Sequence, residues 1–392
     1  MIWFATALGV ANVSYFAANL MEWTGELGQF DYIIAHGFYS WVPAFVRAKL
    51  LEICAASLSP NGLAFISYNA LPGCHFRHYV RDLLQFYTRK IGNPKEKVEK
   101  ALDVVRSILA KPPNGLRETF IQDEFKQLLD KSPSVIYHDD LAEVNDAFSV
   151  TQFAGHLESA GLQLVCDADP VRDDVGQMAE SADTWLERRQ FADLTAARRF
   201  RESLVCRAGI ALDREPSVER LGSLHVFTSA EAQLETKDGQ IFKLPKGELK
   251  VSHPHVKSIL NQVCEAAPAS LPVATLEAWS HDPAMTVSIV ERLQGSGAIT
   301  AVYDAIPVTV SPGDKPKASP IALLQAQRGG AAFSSQRHVP VKLADPISLR
   351  LLAMLDGTKD RSTLHRELAA GGTLDDFNYN LAGIARLGLF IG

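Results

Sequence analysis

The chain has 392 residues, with 39 Lys plus Arg against 45 Asp plus Glu, a net charge of −6 and 47% hydrophobic residues. At roughly 100–200 residues per domain, this length predicts two or three domains. The near-average apolar content excludes a disordered or low-complexity chain. The mild negative charge argues against a chain built wholly to bind nucleic acid.

The cysteines indicate the redox environment. An odd number of widely spaced cysteines without a Cys-x-x-Cys pair favours neither a disulfide framework nor a zinc site. A reducing cytoplasm is the simplest location for such a chain. The five cysteines are Cys54, Cys74, Cys166, Cys206 and Cys264.

The uncharged start of the chain raises the question of a membrane span. Asn12, Ser14 and Asn19 interrupt the apolar run, and no Lys or Arg precedes it as a signal peptide requires. We therefore expect no membrane insertion. The pattern predicts the end of a helix over residues 1–8 and a strand over residues 12–17, both in buried core.

A strand–helix–strand pattern follows. Residues 30–35 form a mostly apolar run that is typical of a buried parallel strand, and residues 44–58 carry the apolar stripe of an amphipathic helix. Pro60-Asn61-Gly62 predicts a turn, and residues 63–68 predict a second buried strand. This spacing is that of a right-handed β-α-β unit.

The next segment is helical and charged. It predicts helices over 75–91, 95–110 and 116–129, which we interpret as an inserted helical region. Residues 151–160 then predict a helix, and strands return over 161–166 and 203–207. A helix, a strand and a later returning strand are typical of the closing part of a doubly wound sheet.

The C-terminal part predicts two similar units, each with three short helices and a terminal strand. The segment from Pro307 to Pro320 contains four prolines, counting both ends, and predicts a linker between the two units. The first unit has helices over 256–266, 273–278 and 285–294 and a strand over 298–302. The second has helices over 348–355, 360–370 and 373–387 and a strand over 388–391. Both resemble winged-helix folds.

Common catalytic motifs are absent from the sequence. It contains no Gly-x-x-x-x-Gly-Lys-Ser/Thr, no His-Glu-x-x-His and no Gly-x-Ser-x-Gly. Gly295-Ser296-Gly297 lies between a predicted helix and a strand, which is the reverse of the dinucleotide-binding order, so we interpret it as a turn. Neither a metal nor a serine nucleophile is predicted.

Aromatic and polar side chains gather where the two predicted strands of the β-α-β unit end. Ligands of open α/β sheets bind outside the carboxyl ends of the strands. The alternative is that these rings cap a helix and pack on the sheet, and the pattern alone does not decide between the two. The residues are His36, Tyr39, Ser40, Trp41, Tyr68 and Asn69.

Five sequence strings resemble a known family. They are similar to class I S-adenosylmethionine-dependent methyltransferases that carry a methyltransferase regulatory domain and a C-terminal winged-helix domain, a group that includes bacterial protein lysine methyltransferases. The similarity covers nearly the whole chain, and the His36–Pro43 part is the most specific. The strings are Phe30–Pro43, Ile66–Gly73, Glu143-Val144-Asn145 with Phe153, Phe200–Arg207 and Leu355–Arg361.

The resemblance implies S-adenosylmethionine as cofactor and a protein partner whose lysine side chain accepts the methyl group. It implies a cofactor site that includes Asn19, Leu20, Ala35, His36 and Trp41. Asn19 stands where the family has an acidic residue that faces the adenine amino group, and its amide oxygen is an acceptor without a charge.

The resemblance also implies catalytic residues. Lysine methylation requires a neutral amine, and carbonyls, hydroxyls and desolvation lower the pKa of that amine. Tyr39, Tyr68 and Asn69 are the expected donors or acceptors, and His36 is the expected base.

One family motif is missing. These enzymes begin with a Glu-x-Gly-x-Gly strand-turn-helix and an acidic residue after the second strand, and neither element is in this chain. The expectation is a chain that starts just before the third strand, which makes it N-terminally truncated relative to the family.

Together these expectations give an α/β fold: a partial Rossmann-like class I methyltransferase sheet with a helical insertion, followed by mainly α winged-helix-like modules. The expected boundaries are a partial methyltransferase core over 1–74 (the region of strands 3–5), a helical insertion or regulatory region over 75–148, a closing part of the sheet over 149–215, a winged-helix-like module over 216–310, a linker over 311–330 and a C-terminal winged-helix-like module over 331–392.

Two alternatives to an active methyltransferase stay open. One is a non-catalytic regulatory or interaction protein, or an inactive fragment of such an enzyme, which the missing glycine motif favours. The other is a transcriptional regulator. Residues 373–387 hold Asp375, Asp376 and a single basic residue, Arg386, so phosphate contacts are poorly served and we expect no nucleic-acid partner.

Two further clusters are interpreted structurally. The basic residues between Arg188 and Arg201 are expected to form a solvated face paired with Glu187, Asp193 and Glu202. His253-Pro254-His255 is expected to begin a helix rather than to bind a metal, because no third ligand is near in sequence. The sequence does not indicate an oligomeric state.

Overall fold

The computed structural model describes residues 2–23, 28–168, 182–214, 217–245, 247–368 and 373–391. The chain divides into two compact units. The first is Ala17–Arg214, and the second combines Met1–Phe16 with Glu215–Gly392. No helix in the described part of the chain is long and apolar enough to cross a membrane.

A mixed sheet forms the centre of the first unit. Its order is β1-β2-β5-β4, with β3 paired to the end of β2. The β1–β2 and β2–β3 pairs are parallel, whereas β5 runs antiparallel to both β2 and β4. The strands are β1 (Phe30–Ala35), β2 (Leu58–Ala70), β3 (Ala147–Phe148), β4 (Leu162–Asp167) and β5 (Phe200–Arg207).

Helices pack on this sheet and form the insertion. Val150, Phe153 and Leu157 of α7 enter the same core as Leu50, Leu51 and Cys54 of α2, below the buried face of β2. Helices α3, α4 and α5 build a separate core around Leu84, Val105 and Phe125. The helices of this unit are α2 (Ala44–Ser57), α3 (Cys74–Thr88), α4 (Pro94–Leu109), α5 (Leu116–Leu129), α6 (Pro133–Val135), α7 (Val150–Ser159) and α8 (Trp185–Ala196). Helix α1 (Ile2–Ala7) belongs to the second unit.

The second unit holds two helical cores, as its repeated pattern predicts. Its helices are α9 (Val218–Gly222), α10 (Pro254–Ala266), α11 (Glu277–His281), α12 (Pro283–Gly295), α13 (Pro320–Gln327), α14 (Pro346–Leu352), α15 (Arg361–Leu368) and α16 (Leu374–Arg386). Its strands are β6 (His225–Phe227), β7 (Glu231–Thr236), β8 (Gly239–Leu244), β9 (Gly247–Val251), β10 (Leu271–Pro272), β11 (Thr300–Val302), β12 (Ala332–Ser334) and β13 (Pro340–Lys342).

Small antiparallel sheets complete the two modules. Strands β10, β6 and β11 form one sheet, β7–β9 a second, and β12–β13 a third. The chain end pairs by single bridges, Phe390 with Ala318 and Ile391 with Val308. The three-stranded β7–β9 sheet was not expected from the sequence, because its strands are short and β7 is exposed along its whole length.

Three expected elements differ from the structure, and residues 12–17 and 30–35 are mostly exposed rather than buried as expected. Residues 12–17 form no strand, because apolar β-formers such as Val13 and Tyr15 need a partner strand, and no described strand pairs with them. The expected turn at residues 60–62 lies within β2, where the pairing shifts from Phe30 opposite Leu58 to Tyr32 opposite Leu63.

The third difference concerns the expected linker over 311–330. It contains α13, whose Ala322 is fully buried in the C-terminal core. Pro320 occupies the start of that helix, where proline is well tolerated, rather than a flexible connection. The last two residues of the helix expected over 360–370 lie outside the described residues.

The β1 strand is the edge of the first unit's sheet. It pairs only with β2 among the described strands. Tyr32 and Ile34 point away from the buried face and are 75% and 73% exposed. One face of the sheet is therefore open along this strand.

The turn from β2 into α3 passes close to the turn from α8 into β5. The Gly73 N–H donates to the Arg198 carbonyl oxygen at 3.0 Å. A Cβ atom added at Gly73 would lie 2.0 Å from the Ala197 carbonyl oxygen, which is backbone and cannot turn aside. Gly73 itself has helical dihedral angles, so the obstacle is steric alone.

Gly73→Ala is expected to destabilise the chain by about 1–3 kcal/mol, because two backbone segments must separate. The matched control is Gly92→Ala, where the added Cβ has no atom within 4 Å, and no loss of stability is expected there. Urea unfolding followed by circular dichroism measures both. Equal midpoints for the two variants would contradict the close approach.

Candidate active site

Hydrogen bonds tie the segment after β1 to the end of β2. The Gly37 N–H donates to Ser67 Oγ at 2.8 Å. Ser40 Oγ accepts the Asn69 N–H, also at 2.8 Å. The two strand ends are therefore one rigid edge, where an open α/β sheet places its ligands.

The helical insertion closes on this edge through asparagine side chains. Asn69 is buried and donates from Nδ2 to Asn145 Oδ1 at 2.7 Å. Asn145 in turn donates to the Asp139 carbonyl oxygen at 3.1 Å. The Asp146 N–H donates to the Ser40 carbonyl oxygen at 2.8 Å. One hydrogen-bonded unit thus joins β1, β2 and the last part of the insertion.

Tyr39 points into the core rather than toward solvent. Its hydroxyl lies 2.9 Å from His156 Nδ1 on α7, and its ring meets Phe153 edge-on at 5.3 Å. Burial raises the pKa of Tyr39 to about 12, and the nearby Arg47 guanidinium acts in the opposite direction. The phenol therefore stays protonated near neutral pH.

Tyr68 is buried on the same face of the sheet. Its ring lies 4.3 Å from that of Phe153. Burial strongly raises the pKa of Tyr68, although Arg201 and Ser203 beside it act in the opposite direction. No described residue gives its hydroxyl a hydrogen bond of good geometry.

His36 and Asn69 belong to the opposite face. The exposed His36 ring lies 5.8 Å from Phe65 and 6.1 Å from Phe200. Phe200 is directly opposite Asn69 in the β2–β5 pair, so the two share a face. Successive side chains alternate along a strand. The structure therefore brings His36 and Asn69 to one face and places Tyr39 and Tyr68 on the other.

The expected cofactor residues lie around this edge without forming one contact set. Asn19 is exposed, but its amide accepts from the Met21 N–H at 3.1 Å and donates to Glu22 at 2.9 Å, which stabilises its own turn. Leu20 packs on the core, and Ala35 is buried at the end of β1.

Trp41 contacts the helical insertion instead, with its ring 5.0 Å from His138. The polar, exposed Asn19 and His36 fit the rim of a nucleoside site. The five residues do not complete such a site by themselves, since Asn19 is committed locally and the chain has no Glu-x-Gly-x-Gly turn.

A cavity of about 340 Å³ opens beside Asn69, between β2 and the insertion. Its carboxylates are all paired with cations. Asp140 contacts Arg77 at 3.3 Å and Lys131 at 2.8 Å, and Glu124 pairs with Arg199. The charged groups in the cavity wall therefore balance, and its net charge is close to zero.

A buried ion network supports β5 beneath Tyr68. Arg201 is 1% exposed and donates to Asp193 at 2.8 and 2.9 Å and to Asp167 at 2.7 Å. Arg198 pairs with the same two carboxylates. Burial disfavours the charged form of Arg201, but the hydrogen bonds to Asp193 and the charge of Asp167 outweigh it and raise its pKa.

This network corrects the expected solvated basic face. Asp193 is indeed a partner, but Arg198 and Arg201 are buried with it rather than exposed. The run of arginines in the sequence does not indicate burial, because one of the carboxylates that pair with it, Asp167, lies on a different strand, β4. The expected helix start at His253 is confirmed, with Pro254 in the first turn, and no metal-binding cluster occurs among the described residues.

Ser40 was among the residues expected at the strand ends, whereas Asn145 and His156 were not expected in the site. Asn145 lies inside a string that resembles the family, which was the available signal. His156 had none, because 117 residues separate it from Tyr39.

Arg201→Met is expected to destabilise the chain by about 3–5 kcal/mol, because the buried Asp167 and Asp193 then lose Arg201 and keep Arg198, which leaves buried negative charge incompletely paired. Arg106→Met is the matched control. It removes an exposed pair with Asp103 and is expected to change stability by about 0.5 kcal/mol at most. Urea denaturation compares them, and similar losses in both variants would refute a supporting role for the network.

Tyr39 is expected to contribute to the alkaline loss of stability. The folded chain holds the phenol proton more tightly than the unfolded chain, since the pKa rises from 10.0 to about 12. The contribution is therefore complete below pH 10 and is lost as the pH rises to 12. In that pH window the free energy of unfolding of Tyr39→Phe should fall less steeply with pH than that of the parent protein, by up to about 1.4 kcal/mol per pH unit.

The control for this titration is Tyr379→Phe. That ring is 79% exposed, so it is in water in the folded and unfolded chains alike, and the slope should match that of the parent protein. Stability is measured by urea unfolding at a series of pH values. A slope for Tyr39→Phe equal to that of the parent would contradict the burial of the phenol.

Two family models match parts of the chain. The model described as "Predicted methyltransferase regulatory domain" matches residues 132–207, and the model described as "PKMT, C-terminal winged helix domain" matches residues 314–383. The first range contains Asn145, His156 and Arg201, which are parts of the site and its support.

Two proteins of Rickettsia prowazekii (strain Madrid E) are similar in sequence. The uncharacterized protein RP789 is 25% identical over 395 residues, which cover 91% of this chain and 70% of the relative. The uncharacterized protein RP028 is 32% identical over 158 residues, which cover 40% of this chain and 63% of the relative.

A solved structure is similar in fold. PKMT2 from Rickettsia typhi in complex with AdoHcy matches with a TM-score of 0.84 and 20% identity, over 100% of this chain and 86% of that one. This likeness confirms the α/β fold followed by a winged helix. Residues 132–207 are therefore similar to a methyltransferase regulatory domain and residues 314–383 to a PKMT C-terminal winged-helix domain, and the chain has the fold of PKMT2.

Proposed function

We propose that the protein is an S-adenosylmethionine-dependent methyltransferase that acts on protein, with a lysine side chain as acceptor. The observation that carries the proposal is the hydrogen-bonded unit of Ser40, Asn69 and Asn145 at the carboxyl ends of β1 and β2. It lies where such folds bind ligands. The matches to methyltransferase domains and to a structure titled as an AdoHcy complex support it.

The proposed chemistry needs an oriented, neutral amine. The cofactor would supply an electrophilic methyl group. The chain's own residues would hold the amine in line and take up its proton, and positioning of this kind is worth an effective molarity of about 10⁵ M or more. Asn69 is held by two hydrogen bonds and would accept an N–H of the amine through its amide oxygen. His36, exposed on the same face, is the proposed base.

Tyr39 and Tyr68 are proposed as positioning residues. Both rings pack against Phe153 below the sheet, so they would hold the segment after β1 and the end of β2 in register rather than touch the amine. Asn19, Leu20, Ala35, His36 and Trp41 remain the proposed rim of the cofactor site.

The second candidate is a non-catalytic regulatory or interaction protein. The observation that favours it is that the expected cofactor residues do not complete a cofactor site. The Asn19 amide is committed to its own turn, and the 392 residues contain no Glu-x-Gly-x-Gly. Such a protein would keep the regulatory and winged-helix parts without turning over a methyl donor.

Calorimetric titration of the purified chain with S-adenosylhomocysteine separates the two candidates. This ligand is the reaction product, so no acceptor has to be known. If the protein is a methyltransferase, we expect one site with a micromolar dissociation constant, which corresponds to a binding free energy of about −8 kcal/mol. A folded chain that releases no binding heat would favour the non-catalytic protein.

A variant pair tests the site residue. Asn69→Leu is expected to lower transfer of labelled methyl groups from S-adenosylmethionine to protein at least tenfold, a loss of about 1.4 kcal/mol of transition-state stabilisation. Asn61→Leu, at an exposed position earlier in the same strand, is the matched control and should keep full activity. Unchanged transfer by Asn69→Leu would remove Asn69 from the mechanism, and label recovered on residues other than lysine would correct the acceptor.

A further inference from the structure

A second cavity, of about 810 Å³, lies between α2 and α7, on the face of the sheet that carries Tyr39. This volume is in the range of small-molecule sites in proteins. Aliphatic side chains, mostly alanine, make up half of its lining residues, so an occupant would contact the helices closely. These residues are Ala44, Ala48, Leu51, Ala55, Ala56 and Ala160.

Hydrogen-bond donors gather at one end of this cavity. Arg47 uses Nη1 for both of its hydrogen bonds, to the Val42 carbonyl oxygen at 2.5 Å and to Asp146 at 2.7 Å. Its Nε and Nη2 have no partner in the part of the chain that the structure describes. The guanidinium lies 5.0 Å from the centre of the Phe148 ring, which is also in the wall.

His156 adds a donor to the same end. The Tyr39 hydroxyl and His156 Nδ1 are hydrogen-bonded across 2.9 Å. In the tautomer in which the phenol donates, the neutral imidazole carries its hydrogen at Nε2. In this tautomer the polar end of the cavity offers N–H groups of Arg47 and His156.

The remaining polar residues in the wall are already engaged. Glu52 is largely exposed and pairs with Lys49 at 2.9 Å. Ser159 donates to the Gly155 carbonyl oxygen at 2.7 Å. Neither competes with an acceptor at the Arg47 end.

We propose that this cavity is a binding site for a small amphipathic carboxylate, with its alkyl or aryl body against the alanine wall and its carboxylate on Arg47 and His156. Guanidinium–carboxylate hydrogen bonds are among the strong ones in proteins. An ammonium head has no lone pair with which to accept from these N–H groups, and an alkane would leave the donors desolvated and unpaired. The site is separate from the Asn69 face, and the proposal does not depend on methyl transfer.

The test uses the full chain and three probes of equal length: decanoate, decanol and decylamine, each below its micellar concentration. Calorimetry is expected to give one decanoate site, with decanol and decylamine at least tenfold weaker. Binding of decylamine as tight as that of decanoate, or no decanoate binding up to about 1 mM, would overturn the proposal.

Variants locate the site. Ala48→Trp fills the space between the two helices and should abolish decanoate binding. Ala110→Trp adds the same side chain at an exposed position on the insertion and should leave binding unchanged. His156→Phe keeps a ring of similar size without the Nε2 donor and should weaken decanoate about tenfold without affecting decanol. Full binding by a folded Ala48→Trp protein would place the ligand elsewhere and refute the site.

Discussion

The buried pairing of Arg201 with Asp193 and Asp167 is the interaction on which the rest of the first unit depends. It links three elements, since Arg201 is on β5, Asp193 on α8 and Asp167 at the end of β4. Removing such charges from water costs several kcal/mol per ion, and only good geometry with further hydrogen bonds repays it. Because Arg201 is directly opposite Tyr68 in the strand pairing, the network also fixes the strand end that carries the candidate site.

Because side chains alternate along β2, neighbouring residues at its end face opposite sides of the sheet. Tyr68 faces the core with Tyr39 and Phe153, while Asn69 faces the insertion and Asn145. One residue step thus separates a packed aromatic layer from a polar edge. The two cavities follow the same division, with the 340 Å³ cavity beside Asn69 and the 810 Å³ cavity beside Tyr39.

The sequence was informative where a local pattern decides the outcome. The strand at residues 30–35, the strand expected over 161–166 and found at Leu162–Asp167, and the helices of the insertion follow from local pattern. The strand expected over 63–68 is longer in the structure and spans Leu58–Ala70. Contacts between distant residues were not predictable. His156 meets Tyr39 only because α7 crosses below β2, and the burial of Arg201 depends on Asp167, 34 residues away. Residues 12–17 have β-forming side chains but no described partner strand, so their β-propensity predicted a strand that does not form.

The open edge of β1 has a consequence for handling the protein. A strand with unpaired backbone groups and exposed apolar side chains is a template for the addition of another strand. Tyr32 and Ile34 provide such a surface, and no charged residue interrupts the run after Asp31 on this strand. Among the described strands of this sheet, β1 is therefore the place where a strand of another chain can add, and a high protein concentration favours such an addition.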